Sequence, residues 1–491
     1  MDGKKIISRL KRLDEVETIK DVQQLTHTLF PGSHCPLMGA ALVAKGIKDA
    51  MIMVIGTDEC AYYTKSLTLN PDFGGIKGRC VSVVVDTHDV TFGSAKTTEV
   101  AFDEMIKEYD PKCVFLVTTC VIEIIGDDMD AVAAALTDKY NLPVMAVHTE
   151  HFKCQDHMPG IERTITACAE MMEDQDKGKQ VNVLGQRLGI FENTELYSVL
   201  KNAGVEVGLM LPSGCTVDDI KKAPSAQVNI VVHDTALPLA KKMEKEFGVP
   251  YVNFVRFANL ESILDNYKNL FNYLNVELPQ QVVENYEATQ DEMKEAKKAL
   301  DGVTYIYGHT PFVPFEINAF MISLGMEPLL IQVSHLDGIE TWKQEILKTH
   351  NPFTTKSANI TPLQYVYDEL KPDLYLGHEY ANKLRAKGIA LVHTDRANQM
   401  LGFDATRFIV NALVNSAALA KSYQSGEMPE SAGMPMPMGG GMGAMMGGGH
   451  PAGVPKHGGG GHPAGIPKHG GGGHPAGIPK HTGGGRPHGT M

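Results

Sequence analysis

Short apolar runs alternate with amphipathic segments through most of the chain, from about residue 50 to residue 394. The runs AMIMVIG, KCVFLVTTC and LPVMAVH are almost continuously apolar, whereas KTTEVAFDEMIKEY and DDMDAVAAALTDKY carry apolar residues three and four positions apart. Continuous apolar runs predict strands that are buried on both faces, and the wider spacing predicts amphipathic helices. The alternation therefore predicts an α/β fold with parallel sheets.

The predicted strands fall into three sets of about four. The first set is followed by VNVLG, VEVGLML, VNIVVH and PYVNF and then, after a long helical stretch, by VTYIYG, EPLLIQV, PDLYLG and IALVHT. A length of 491 residues corresponds to roughly three domains at about 150 residues each. We therefore expect three Rossmann-like subdomains, at residues 29–176, 177–300 and 301–425, after an N-terminal helical extension at residues 1–28.

The last segment of the chain, residues 426–491, has a different composition. It is rich in Gly, Met and Pro and repeats one unit three times, as HPAGVPKHGGGG, HPAGIPKHGGGG and HPAGIPKHTGGG. Gly and Pro at this density do not build a packed core, so we expect a disordered tail. Neutral imidazole binds nickel and zinc, which predicts a weak site for either metal, and the alternative is a tether without ligands. The repeats supply His450, His457, His462, His469, His474 and His481.

Charge and hydropathy limit the class of partner. The chain has 45 basic and 58 acidic residues, a net charge of −13, which argues against binding to nucleic acid or to an anionic membrane. No apolar run reaches the roughly 18 residues that span a membrane. The N-terminus lacks the apolar region of a secretory signal, so we expect a cytoplasmic protein. In that compartment the eight cysteines are not expected to form disulfides.

Several candidate ligands lie at or just beyond predicted strand ends, where parallel α/β sheets bind ligands. Cys60 follows MIMVIGTDE, Cys120 ends VFLVTT, His233 ends VNIVV and His393 ends IALV. A histidine in such a position can also bond only to local backbone groups. Cys35, Cys60 and Cys120 are 25 and 60 residues apart, unlike the compact ferredoxin or zinc-ribbon patterns. The spacing alone leaves open whether the three thiols converge or are buried separately.

The segments around these cysteines resemble the component 1 family of nitrogenase. Cys35 lies in FPGSHCPLMGA, Cys60 in GTDECAYYTKS and Cys120 in TTCVIEIIGDDMDAV, and DTHDVTFGSAKT is similar to the family's D-x-V-F-G-G-x-K segment. The family includes the catalytic α and β subunits, the scaffold proteins that assemble the iron–molybdenum cofactor, and the subunits of dark-operative protochlorophyllide reductase. The resemblance extends from about Leu29 to Ala420.

The resemblance implies a cluster and two protein partners. Cys35, Cys60 and Cys120 would ligate an iron–sulfur cluster, [4Fe–4S] or larger, at the interface with a homologous component 1 subunit, identical or different. The chain has no GxxxxGK[ST] motif, and the resemblance implies that a separate ATP-dependent iron–sulfur reductase supplies electrons.

The resemblance also raises the question of a second metallocofactor. The family's catalytic subunits hold one through a Cys and a His, but here His233 of NIVVH stands where the Cys is expected. His393 precedes TDRANQMLGFDATRF, as the family's His precedes G-Y/F-D-G-F. The missing cysteine argues against dinitrogen reduction. Three interpretations remain: a different cofactor on His233 and His393, an organic or tetrapyrrole substrate in that cleft, or a non-catalytic subunit.

The interpretation we favour from the sequence is a nitrogenase-like oxidoreductase subunit. It would accept electrons from the reductase through the interfacial cluster and reduce a bound substrate. The alternative is a scaffold protein for the biosynthesis of a nitrogenase-type metallocofactor.

Overall fold

The computed structural model describes most of the chain up to residue 426. The described ranges are residues 2–27, 34–69, 78–154, 156–187, 189–254, 259–308, 310, 313–333, 340–356 and 360–426. The tail histidines, and the nickel or zinc site predicted on them, lie outside these ranges. No helix in the described part of the chain has both the length and the apolar character needed to cross a membrane.

The N-terminal segment contributes one short helix and one short strand. Helix α1 (Gly3–Ile7) is capped by the Asp2 carboxylate, which accepts a hydrogen bond of 3.0 Å from the N–H of Lys4. Strand β1 (Lys11–Arg12) pairs antiparallel with Phe353 and Thr354. Residues 2–27 thus include only five residues of α-helix, fewer than a helical extension implies, because the segment instead completes a distant sheet.

The first subdomain is a Rossmann-like layer of four parallel strands. Their order is β3-β2-β4-β5, and every residue of β2 is buried, as the continuous run AMIMVIG predicts. The elements are α2 (Pro36–Gly46), β2 (Ala50–Gly56), α3 (Asp58–Leu69), β3 (Cys80–Val84), α4 (Thr87–Phe92), α5 (Ala95–Glu108), β4 (Cys113–Thr118), α6 (Cys120–Ile125), α7 (Met129–Tyr140), β5 (Val144–Val147) and α8 (Met158–Ala167).

The second subdomain repeats this plan, with four parallel strands in the order β7-β6-β8-β9. Its elements are β6 (Val181–Gln186), α9 (Glu195–Asn202), β7 (Val207–Pro212), α10 (Val217–Lys221), β8 (Val228–Val231), α11 (Leu237–Phe247), β9 (Tyr251–Asn253), α12 (Leu260–Leu274) and α13 (Gln280–Leu300). One hydrophobic core joins residues of the first and second sheets, so the two subdomains pack directly against each other.

The third subdomain has six strands in the order β1-β12-β11-β10-β13-β14, all parallel except β1. Its elements are β10 (Thr304–Tyr307), α14 (Pro314–Ser323), β11 (Glu327–Gln332), α15 (Glu340–Leu347), β12 (Phe353–Thr355), α16 (Ile360–Leu370), β13 (Leu374–Leu376), α17 (Ala381–Arg385), β14 (Ala390–Val392) and α18 (Phe403–Ser425). The predicted α/β class with three parallel sheets is confirmed.

Candidate functional site

The topology of the first sheet brings Cys60 and Cys120 to the same edge. Strands β2 and β4 are parallel neighbours, and Ile55 is aligned with Thr118 near their carboxyl ends. Cys60 is the third residue of α3, which begins two residues after β2. Cys120 is the first residue of α6, which begins two residues after β4. Both thiols therefore lie just beyond the carboxyl ends of adjacent strands, where this type of sheet binds ligands.

Cys35 reaches the same edge by a different route. Helix α2 is joined to β2 by only residues 47–49, so it must run antiparallel to that strand. Its amino end, where Cys35 is the N-cap residue, consequently lies at the carboxyl edge of the sheet. Each of the three cysteines thus occupies the first turn of a helix. Helix amino ends carry partial positive charge and favour the thiolate that binds a metal.

The three thiols interact electrostatically. Burial raises the pKa of Cys35 and of Cys120, and the charge of Cys60 raises the pKa of both further. The backbone N–H groups of Leu37 and Met38 act in the opposite direction and lower the pKa of Cys35. Three thiolates that repel one another are stabilised by a cation placed among them, and iron is a suitable one because thiolates are soft ligands.

Two contacts fix the loops that carry these cysteines. Thr119, just before Cys120, donates a hydrogen bond of 2.9 Å to the carbonyl of Ile55. A Cβ on Gly56 would lie 2.2 Å from the Thr119 Oγ1, so only glycine permits this approach. On the other side, Tyr63 Oη lies 2.8 Å from Nδ1 of His34, the residue before Cys35.

Large apolar side chains on α3, α4 and α6 are exposed, and α3 and α6 carry Cys60 and Cys120. Tyr62 on α3 is 74% exposed, Phe92 on α4 is 77% exposed and Ile124 on α6 is 70% exposed. Tyr62 follows Cys60 by two residues, and Ile124 follows Cys120 by four. Neighbouring exposed apolar side chains of this size are typical of a surface that another protein covers.

Three other cysteines lie in the core. Cys113, Cys168 and Cys215 are at most 5% exposed and pack among aliphatic side chains between the first and second sheets. Burial raises the pKa of Cys215 to about 12 and that of Cys113 and Cys168 well above the ordinary range for a thiol. These thiols are therefore enclosed by apolar side chains, an environment that disfavours the thiolate.

His233 follows strand β8 and is half-buried. Its Nε2 lies 3.2 Å from Nη2 of Arg187, which follows strand β6. A guanidinium can only donate, so the histidine Nε2 accepts this hydrogen bond. On the other side of the ring, Nδ1 lies 3.0 Å from Oγ1 of Thr235 and 3.3 Å from the backbone nitrogen of the same residue.

The carboxyl ends of the second and third sheets face each other at a place that we call the central junction, formed by residues 185–187, 233–235, 316 and 399. A Cβ on Gly189 would lie 2.9 Å from Cβ of Gln399, a residue of the third subdomain. Burial and the charge of Asp234 raise the pKa of Glu316, in the first turn of α14, to about 8. Glu316 is therefore a neutral carboxylic acid near pH 7, able to donate a hydrogen bond.

His393 is placed differently from His233. It follows β14, an outer strand of the third sheet, and its side chain is exposed. The structure thus places the two predicted histidines beyond strands of different sheets. Arg187 and Glu316 were missed by sequence reasoning. Arg187 directly follows the apolar run VNVLGQ, so its position at a strand end was the available signal.

Comparison with known proteins agrees with this architecture. The sequence model of the nitrogenase component 1 type oxidoreductase family matches residues 35–417. The chain is 29% identical over 337 residues to the nitrogenase iron–molybdenum cofactor biosynthesis protein NifE of Clostridium pasteurianum, covering 66% of this chain and 72% of that protein. It is 24% identical over 378 residues to the nitrogenase molybdenum–iron protein alpha chain of the same organism, covering 73% and 70%.

A solved structure shows the same fold. The protein in "Nitrogenase Cp1 at pH 6.5" superposes with a TM-score of 0.67 at 15% identity, covering 80% of this chain and 94% of that one. The resemblance drawn from the cysteine segments is thereby confirmed at the level of the family. The family match covers every parallel strand of the three sheets, the three cysteines and the central junction, and the chain belongs to the nitrogenase component 1 type oxidoreductases.

Proposed function

We propose that the chain is a nitrogenase-like oxidoreductase subunit that holds an interfacial iron–sulfur cluster and reduces a substrate bound at the central junction. The observation that carries this proposal is the convergence of Cys35, Cys60 and Cys120 in the first turns of three helices at one sheet edge. Their sulfurs interact electrostatically, whereas the remaining buried cysteines lie in an apolar core.

The residues fit an iron–sulfur group by the chemistry of their donor atoms. A [4Fe–4S] cluster needs four ligands, so three thiolates from this chain leave one position for another ligand, and a larger cluster can take thiolates from two chains. When bound, such a cluster supplies one-electron transfer at low potential. The chain's own contribution is to hold the thiolates, with the N–H groups of Leu37 and Met38 favouring the ionised form of Cys35.

The proposal includes two protein partners. A homologous component 1 subunit would cover Tyr62, Phe92 and Ile124, because a cluster shared between chains requires an interface beside the cysteines. An ATP-dependent iron–sulfur reductase would supply the electrons, as the family membership suggests.

A second candidate function is that of an assembly scaffold. It is favoured by the 29% identity to NifE, a protein named for iron–molybdenum cofactor biosynthesis. A scaffold would use the same cysteines and the same junction, but it would hold and release its ligand without reducing it. His233, in place of a cysteine, suits either a weakly held cargo or a different cofactor.

Anaerobic purification tests the cluster assignment. The wild-type protein should contain iron and sulfide, and Cys60→Ala or Cys120→Ala should abolish both, because each removes a ligand. Cys113→Ala is the control, since that thiol is fully buried in the core. Full iron content in both ligand variants would refute the assignment. Turnover with a purified reductase and ATP would then distinguish the enzyme from the scaffold.

A further inference from the structure

Within the described ranges, Arg187 is a charged side chain without an acidic partner. Ion pairs are formed by Arg163 and Arg407, but none of the carboxylates in the described ranges pairs with Arg187. Its contacts are the Nε2 of His233, at 3.2 Å, and the sulfur of Met158, at 3.9 Å. Its Nε is closed to solvent and has no hydrogen-bond partner within the described structure. The guanidinium is therefore unusually poor in negative or accepting neighbours.

Other arginines of this protein show what a structural role looks like. Arg79 donates to the carbonyls of Ile47 and Ala50, at 2.5 and 2.8 Å, and so satisfies the carboxyl end of α2. Arg163 donates to the carbonyls of His148 and Thr149 and pairs with a carboxylate. Arg187 has neither kind of contact among the residues described, so bridging of backbone elements does not account for it.

The backbone around Arg187 is arranged to point it into the junction. The pairing of β6 with β7 is irregular between Leu184 and Gln186, and Gly185 there has a φ of +97°. Such irregularities redirect the side chains that follow them. A Cβ on Gly185 would lie 2.9 Å from Cβ of His233, and Gly189, with a φ of +71°, lies against Gln399. Two glycines thus hold Arg187 between the second and third subdomains.

We propose that Arg187 binds an oxyanion, a carboxylate or a phosphate, on the ligand that occupies the central junction. The inference rests on the proposed function only in placing a ligand there. An anionic oxygen at the remaining guanidinium N–H groups would compensate a charge that pairs with none of the carboxylates in the described ranges. His233 would act as a positioning residue, because its accepting Nε2 holds one edge of the guanidinium and leaves the remaining donors for the ligand.

The test uses the full-length, iron-loaded protein and simple anions as probes. Melting midpoints are measured in succinate, in inorganic phosphate and in chloride at matched ionic strength. We expect succinate or phosphate to raise the wild-type midpoint by about 2 °C or more at saturation. The larger response identifies the carboxylate or the phosphate as the preferred group. Arg187→Met should abolish the response, and Arg187→Lys should retain part of it, because lysine keeps the charge without the planar fork.

Lys241→Met is the matched control. It removes one positive charge from an exposed position on α11 in the same subdomain and should leave the anion response unchanged. Without added anion, Arg187→Met should melt no lower than the wild type, since it removes a buried charge that no carboxylate in the described part of the chain pairs with.

Three results would overturn the inference: no wild-type response, an equal response in Arg187→Met, or a large loss of stability in that variant without anion. The iron content separates this inference from the proposed function. If iron is bound and is lost in Cys60→Ala while the anion response is absent, the cluster assignment stands and the role of Arg187 falls. If the anion response depends on Arg187 while the cysteine variants keep their iron, the opposite holds.

Discussion

The contact between α9 and α18 places two acidic side chains together inside the protein. From it we predict how the free energy of unfolding changes with pH. Glu195, the first residue of α9, accepts hydrogen bonds from the N–H groups of Phe403 and Asp404, at 3.2 and 3.1 Å, and from the hydroxyl of Tyr267 at 3.0 Å. It thereby caps α18 from another subdomain. Asp404 lies beside it, and its buried Oδ1 has no hydrogen-bond partner among the described residues.

Burial and the charge of Glu195 raise the pKa of Asp404 from 3.8 to about 7. Between about pH 4 and pH 7 the folded protein therefore holds a proton that the unfolded chain has lost. The free energy of unfolding should fall by about 1.4 kcal/mol for each pH unit in this window because of this residue alone. The contribution is complete below pH 4 and is lost as the pH rises through 7.

Asp404→Asn removes this titration and keeps the shape of the side chain. Relative to the wild type, the variant should gain stability as the pH rises from 5 to 8, by roughly 2–4 kcal/mol. Urea unfolding followed by circular dichroism at both pH values measures the gain. The difference between the two proteins is the relevant quantity, because other groups, including Glu316, titrate in the same range.

Asp291→Asn provides the control, because that carboxylate on α13 is 77% exposed and pairs only at the surface with Lys294. Its effect should be small and equal at the two pH values. A stability difference between Asp404→Asn and the wild type that does not change from pH 5 to pH 8 would show that Asp404 is not protonated in the folded protein. The account of the buried carboxylate pair would then be wrong.

Two further predictions concern the sheet edge beside Cys120 and the tail. Gly56→Ala should lower the iron content and cost about 1–3 kcal/mol of stability, because the new Cβ would lie 2.2 Å from the Thr119 Oγ1. Gly178→Ala is the control and should change neither quantity, because the nearest atom to its new Cβ would be 3.4 Å away. Unchanged iron in Gly56→Ala would contradict the close approach of β2 and α6. The full-length protein should bind nickel or zinc in titration calorimetry and should lose this binding below about pH 6.5, where imidazole becomes protonated. Truncation after Glu430 should remove the binding and leave the iron content unchanged. Equal metal binding by the truncated protein would make the tail only a tether.

Hydropathy patterns predicted most of the fold, and what they missed has a physical reason. The run AMIMVIG coincides with β2, because a strand buried on both faces is apolar at every position. Strands β1 and β12 have two and three residues, too few to show any periodicity. β1 also pairs with residues about 340 positions away, and local sequence carries no information about such a contact.

The candidate site was predictable in its residues but not in its geometry. Spacings of 25 and 60 residues between the cysteines do not indicate convergence, which follows only from strand order and from the antiparallel course of α2. Cys60 was predicted just beyond a strand end, and it lies there in α3, whose start is marked by Asp58 and Glu59. Cys120 was predicted at a strand end, and it follows β4 by two residues as the first residue of α6. In both cases a helix begins immediately beyond a strand, and its capping residues were the unused signal.

The first turn of α8 lies between the central junction and the sheet edge that carries Cys35, Cys60 and Cys120. A Cβ on Gly39 of α2 would lie 2.1 Å from the carbonyl oxygen of His157, so this turn is held tightly against the helix that begins at Cys35. The His157 ring lies 6.4 Å from that of His34. The next residue, Met158, places its sulfur 3.9 Å from Arg187. Two consecutive residues therefore contact both sites. Under the proposed function, this turn links the sheet edge that carries the cysteines to Arg187 through contacts on both of its sides.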